Sequence, residues 1–191
     1  MLESARALFI AHGYVATTIV AIAERAGVSP ETVYAVFTTK RALLSSVIDV
    51  SITGDDAPVP LLERPWVEAM RLEPEPSARL NLLATNGRRI LERITPIYEV
   101  LRGAAASDPE IDTMWQRHKA QRAVGQRELI RIVCPEGSLR KGLTVDAAAD
   151  LLFTIGSPET YQLLTGDRGW SPARFERWYA DTLGRLLLAS R

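Results

Sequence analysis

Apolar positions recur along this chain three or four residues apart, and residues that favour turns or helix caps fall between the apolar runs. Residues 2–12 bring Ala5, Leu8, Phe9 and His12 to one side of a helix, and Gly13 is suited to end it. Thr17 and Thr18 precede Ile19, Ile22, Ala23 and Ala26, a short amphipathic helix closed by Gly27. Ser29-Pro30-Glu31 then supplies a capping hydroxyl, a proline at the first helical position and an acid at the positive end of the helix dipole. This third helix is expected to end near Phe37. Thr38 or Thr39 caps a fourth, from Lys40 to about Ile52. The run TGDDAPVP at 53–60 is turn chemistry, and a domain boundary is expected there, dividing 1–52 from 53–191.

Beyond the boundary the pattern predicts a short helix over 61–72 and a longer one opened by Pro76. Pro96 is expected to break or kink that helix, because proline lacks the amide hydrogen a helix interior needs. Asp108-Pro109-Glu110 repeats the cap, proline and acid order and starts a helix to about Val133, stopped by Pro135 and Gly137. Thr144 caps 145–156, Ser157-Pro158 restarts the chain, and Ser171-Pro172 opens the last helix. No strand pattern appears. The expected fold is all-α, nine or ten helices: an N-terminal three-helix domain with a helix-turn-helix, and a larger C-terminal helical domain.

In the last helix, Phe175, Trp178, Tyr179, Thr182, Leu183, Leu186 and Leu187 keep helical spacing without a break. Helix 145–156 is apolar nearly all round, so it must be covered on more than one face. Gly87 lies mid-helix at a cost of roughly 1 kcal/mol against alanine, which points to close approach by a neighbour or a ligand.

The stretch from Gly13 to Leu43 carries the functional signal. Two short helices are joined by Ala26-Gly27-Val28-Ser29, and Gly27 can adopt the left-handed conformation of a tight interhelical turn. Val28, Val33 and Phe37 can pack against Ile22, Ala23 and Phe9 and hold the second helix steeply across the first. That geometry suits a helix-turn-helix, whose second helix enters the major groove. An ordinary corner between two helices has the same outline.

The run GYVATTIVAIAERAGVSPETVYAVFTTKRALL resembles the N-terminal domain of the TetR family of transcriptional regulators. The match lies in Gly13, Tyr14, Thr17-Thr18, Ile22-Ala23, Ala26-Gly27-Val28-Ser29, Thr32, Tyr34, Phe37, Lys40 and Leu43. The resemblance implies a ligand-responsive repressor that binds palindromic double-stranded operator DNA as a homodimer. It implies phosphate contacts from Tyr34 and Lys40, with Thr17 or Thr18 capping the second helix and touching phosphate. Thr32 would reach a base edge or a phosphate. Val20, Ala35 and Val36 stand where members often carry polar groups, so base reading would fall to thymine-methyl contacts from Pro30, Ala35 or Val36. Glu31 would accept from a cytosine amino group. The chain begins almost at its first helix, where members commonly carry a longer basic arm.

The resemblance also implies a dimer built from the last two main helices, with Ala148, Leu152, Trp178, Leu183 and Leu186 as interface candidates. It places a small, largely hydrophobic effector among the central helices, where Asn86, Tyr98, Trp115, His118 and Arg122 are the polar or aromatic candidates.

Composition narrows the alternatives. Lys plus Arg is 23 and Asp plus Glu is 23, so DNA binding depends on local placement rather than a global positive field. Arg6, Arg25, Lys40 and Arg41 balance Glu3, Glu24, Glu31 and Asp49 within the first fifty residues. Cys134 is the only cysteine, which suits a reducing compartment, and no apolar run reaches membrane-spanning length. Glu3 and Arg6 interrupt any signal-peptide pattern, so a cytoplasmic protein is expected. The chain has no nucleophile elbow, phosphate loop or metal-ligand motif, and only His12 and His118 as histidines. It is therefore expected to be no enzyme and to need no metal or cofactor. The alternative reading is a helical small-molecule-binding protein whose head does not bind DNA.

Overall fold

The structure, a computed structural model, describes residues 1–189. Ten α-helices account for most of them: α1 (Leu2–Ala16), α2 (Ile19–Ala26), α3 (Pro30–Phe37), α4 (Lys40–Thr53), α5 (Pro65–Leu72), α6 (Pro76–Ala105), α7 (Pro109–Val133), α8 (Val145–Ile155), α9 (Pro158–Gln162) and α10 (Pro172–Leu187). The only strand-like feature among these residues is an isolated bridge between Leu139 and Leu188. The chain forms two compact units. Residues 1–56 group with 93–118, and residues 57–92 group with those from 119 onward.

In the first unit, α1 leaves helical geometry at Gly13, whose φ of +76° costs glycine little. Phe9, Ile22, Val33, Leu43, Leu44 and Ile48 are buried here, together with Ile97, Leu101 and Ile111 of α6 and α7. Arg93 donates to the carbonyls of Ser51 and Ile52 at 3.0 and 3.2 Å, placing a cation at the negative end of α4. Arg6 in turn donates to the Arg93 carbonyl at 2.9 Å.

The second unit closes around Phe175, Tyr179, Leu183 and Leu187 of α10, which pack with Leu80, Leu83, Ile130, Val133 and Leu152. Tyr179 explains Gly87: a Cβ there would meet the Tyr179 ring at 3.1 Å. At Gly156, a Cβ would run into the Tyr179 hydroxyl itself. Glu176 accepts from Thr85 at 2.7 Å and from Arg88 at 3.0 Å, fixing α10 to α6 beside that contact.

Two expectations need correction. Helix α6 runs from Pro76 to Ala105 with Pro96 inside it, so of the expected break or kink the break does not occur. Ile94, Ile97, Tyr98 and Leu101 are all buried, and their packing outweighs the roughly 3 kcal/mol that an internal proline costs. The single helix expected over 61–72 is a 3₁₀ turn, Leu61–Glu63, followed by α5, because Pro65 opens a new helix at its first position.

Candidate nucleic-acid interface

Helices α2, α3 and α4 of the head each begin at a side chain that closes the first turn. The Thr18 hydroxyl accepts from the Ala21 amide at 3.1 Å, Ser29 from Thr32 at 3.3 Å and Thr39 from Ala42 at 3.0 Å. Helix α2 ends on Gly27 at φ +68°, with the Gly27 amide on the Glu24 carbonyl and the Val28 amide on that of Ala23. These two bonds form the crossed pair of a Schellman motif, which reverses the chain within two residues. Pro30 then takes the first position of α3, where its missing amide hydrogen is harmless.

Only Val33 of the two-turn α3 is fully buried, with Phe37 half-buried. Glu31, Thr32, Tyr34, Ala35 and Val36 face outward, Tyr34 52% and Val36 56% exposed. Val20 on α2 is 62% exposed. The head thus shows solvent the side chains expected at base edges, including apolar ones with no core to fill. Hydrogen bonds from its own backbone amide and from the Ser29 hydroxyl hold the Glu31 carboxyl below the usual carboxylate range, so it is an acceptor near neutral pH.

Two expected contact residues turn inward. Thr17 is 2% exposed, and its hydroxyl shares its proton between the carbonyls of Gly13 at 2.7 Å and Leu8 at 3.1 Å. Thr17 therefore locks the end of α1, and the cap of α2 falls to Thr18 alone. Lys40 Nζ donates to the Tyr14 and Thr17 carbonyls, both at 2.9 Å, and stands 4.3 Å from the Tyr14 ring centroid. Partial burial lowers its pKa, with Asp108 opposing. The ammonium ties the start of α4 to the end of α1. Nothing local in the sequence signals this, because a lysine at a helix start looks the same whether it reaches outward or back. Arg25, in the last turn of α2, is an exposed cation that the reading did not single out.

The turn from α3 to α4 is strained. Thr38 has φ +59° and ψ −47°, the one positive φ outside glycine among the described residues. Its neighbours close a three-residue turn, the Thr39 amide donating to the Phe37 carbonyl. A β-branched residue adopts this conformation only when its surroundings impose it.

The effector candidates divide between the units. In the first, Tyr98, Trp115 and His118 are buried together, the Tyr98 ring 5.2 Å edge-on to Trp115 and 6.3 Å from His118. In the second, Asn86 donates to the Leu82 carbonyl at 2.8 Å, and Arg122 lies 3.8 Å over the Phe153 ring. Of the dimer candidates, Ala148, Leu152 and Leu183 are within 1% of full burial in their own subunit, while Trp178 and Leu186 stay half-exposed. Among the described residues no three His, Cys, Asp or Glu side chains group as a metal site, and no helix is long and apolar enough to cross a membrane.

Residues 1–47 match the bacterial regulatory proteins, tetR family. No curated protein matches the chain by sequence. Solved structures share its fold along nearly the whole length. One is a transcriptional regulator from Saccharomonospora viridis in complex with choline, at 19% identity and TM-score 0.71, covering 99% of this chain and 96% of the other. Another is the fatty acid degradation regulator FadR from Bacillus halodurans, at 16% identity and TM-score 0.73, covering 95% of each. A third is NalD, the secondary repressor of the MexAB-OprM efflux pump in Pseudomonas aeruginosa, at 20% identity and TM-score 0.69, covering 100% and 95%.

Proposed function

The chain carries the tetR-family head on residues 1–47, and from that premise we propose a ligand-responsive repressor that binds a palindromic operator as a homodimer. Residues 1–52 bind DNA, and 53–191 take the effector and pair the subunits. The observation that carries this reading is the outward set on α3, Glu31, Thr32, Tyr34, Ala35 and Val36, held on a capped helix of two turns. Such a helix fits the roughly 12 Å major groove. Pro30 and Thr32 lie in its first turn, so base contacts come from the N-terminal half and from the exposed face. Tyr34 offers its hydroxyl to phosphate. Thr18 and Arg25 on α2 reach the backbone, and Lys40 acts mainly by fixing where α4 begins.

Dimerisation makes up for the lack of net positive charge on one head, since two heads double the phosphate contacts and each contact adds to the salt dependence. The half-exposed Trp178 and Leu186 on α10, with Leu151 and Ile155 on α8, carry the pairing surface. Ala148, Leu152 and Leu183 support those helices from inside. An effector that binds the DNA-incompetent conformation better lowers operator occupancy by its differential affinity, and operator DNA must weaken effector binding by the same factor.

A gel-shift titration on the intergenic DNA flanking the chain's own gene, at 50 and 200 mM salt, tests this proposal. We expect tight binding that weakens steeply with salt. Val36→Glu should weaken it at least about tenfold, the range of one lost base contact, with an unchanged melting temperature. Leu186→Glu should give monomers by sedimentation and lose tight binding. Absence of salt-dependent binding to that DNA, with the protein folded, would favour a ligand-binding protein without a DNA role.

A further inference from the structure

Within the first unit, α4 and the start of α7 border a cleft of about 630 Å³, lined by Ser45, Ser46, Met114, Arg117 and the ion pair of Arg41 with Glu110. One turn further along each wall stand Asp49, four residues past Ser45, and His118, four past Met114. His118 is 3% exposed, and its Nε2 has no hydrogen-bond partner. The ring faces Tyr98, which packs edge-on against Trp115. One turn before Tyr98 on α6, Thr95 is 2% exposed, and its Oγ1 is also without a partner.

Buried polar atoms are nearly always paired, because an unpaired one forfeits its hydration with nothing in return. Two such atoms on the helices that carry one aromatic cluster point to a molecule that bonds both. Burial lowers the His118 pKa, with Asp49 opposing and Arg117 reinforcing, so the imidazole is neutral near pH 7. A neutral imidazole nitrogen and a threonine hydroxyl are together satisfied by a group that both donates and accepts, which is what an alcohol does. A full charge on the ligand would instead lose its hydration among aromatic rings.

We propose that this cluster is the effector site and takes a neutral, ring-bearing alcohol, its hydroxyl bonded to His118 Nε2 and Thr95 Oγ1 and its ring against Tyr98 and Trp115. This rests on the ligand-responsive reading given above. The site reaches the head through α4: Asp49, which acts electrostatically on His118, lies nine residues from Lys40, where that helix is tied to α1.

Calorimetric titration of the full-length protein with 2-naphthol, naphthalene, 2-naphthoate and choline as probes tests the site. The expected result is one 2-naphthol per subunit, at least about tenfold tighter than each of the other three, the factor equivalent to 1.4 kcal/mol. Thr95→Val and His118→Phe should each cut the preference for 2-naphthol over naphthalene at least about threefold, since each removes one of the two hydroxyl bonds. If His118→Phe fails to fold, Thr95→Val alone decides, because it keeps the side chain's shape. Equal binding of naphthalene and 2-naphthol, a preference undiminished in the folded variants, or tighter binding of choline or 2-naphthoate each overturns the assignment. The same preparation goes into the gel shift described above. Protein that binds the promoter DNA but none of the probes overturns this site and leaves the repressor reading standing. Protein that selects 2-naphthol but binds no DNA supports the site and overturns that reading.

Discussion

In residues 1–56 helices α2, α3 and α4 start at a hydroxyl three residues away in sequence; α8, α9 and α10 of the second unit are capped in the same way, but that unit also depends on side chains brought together from across the chain. Thr18, Ser29 and Thr39 do the first kind of work. Tyr179, set against Gly87 and Gly156, and Glu176, bonded to Thr85 and Arg88, do the second. The difference matters for function. A helix set by its own cap needs little burial to stay in place, so α3 can leave five of its eight residues to solvent. A unit set by distant contacts has no such freedom, and its small residues are where large ones need room.

The contrast breaks most visibly at Gly156. Gly156→Ala should destabilise the second unit by about 1–3 kcal/mol, the usual cost of overpacking, read as a lower melting temperature. Tyr179→Phe in the same chain should recover part of that loss, since the hydroxyl is the nearest obstacle. Additive losses in the double-mutant cycle would show that the glycine is not there for Tyr179.

A smaller and more local loss is expected from Ser29→Ala, about 1 kcal/mol for a removed cap. Hydrogen exchange should rise in the first turn of α3 and not in α10. Equal change in both units would mean that the head is not locally specified.

The smallest effect is one of pH. Burial depresses the His118 pKa in the folded state, so the folded form prefers the neutral ring. The stability this reflects is present above the unfolded value near 6.5 and is lost as pH falls through the lowered folded value. Urea unfolding should therefore weaken between pH 7 and 5, and His118→Phe should flatten that profile. An unchanged slope in the variant would assign the acid sensitivity to other groups.

What the sequence made legible is the local kind of contact, in either unit. The caps at Thr18, Ser29, Asp108, Thr144, Ser157 and Ser171 were readable because each depends on neighbours a few residues away. Gly87 announced a close approach but could not name Tyr179. Periodicity marked Leu183 and Leu152 as apolar-face residues, yet could not say whether their own subunit or a partner would cover them. Pro96 signalled a break or a kink, and packing on both sides keeps α6 helical through it. Thr17 and Lys40 were located correctly in the head, but their direction depends on where the end of α1 passes, and no local pattern records that. His118 was one of five candidates, and no local pattern records that its Nε2 is buried without a partner beside Tyr98.

Thr38 puts a constraint on how this head can change. Glycine there would relieve a conformation that costs a β-branched residue of order 1–3 kcal/mol, so a search for thermostable variants should find position 38 early. The same turn fixes where α3 stops and α4 starts, and under the proposed function a looser joint would let α3 sample more orientations on DNA. Selection for heat resistance and selection for operator affinity should therefore pull in opposite directions at this one residue.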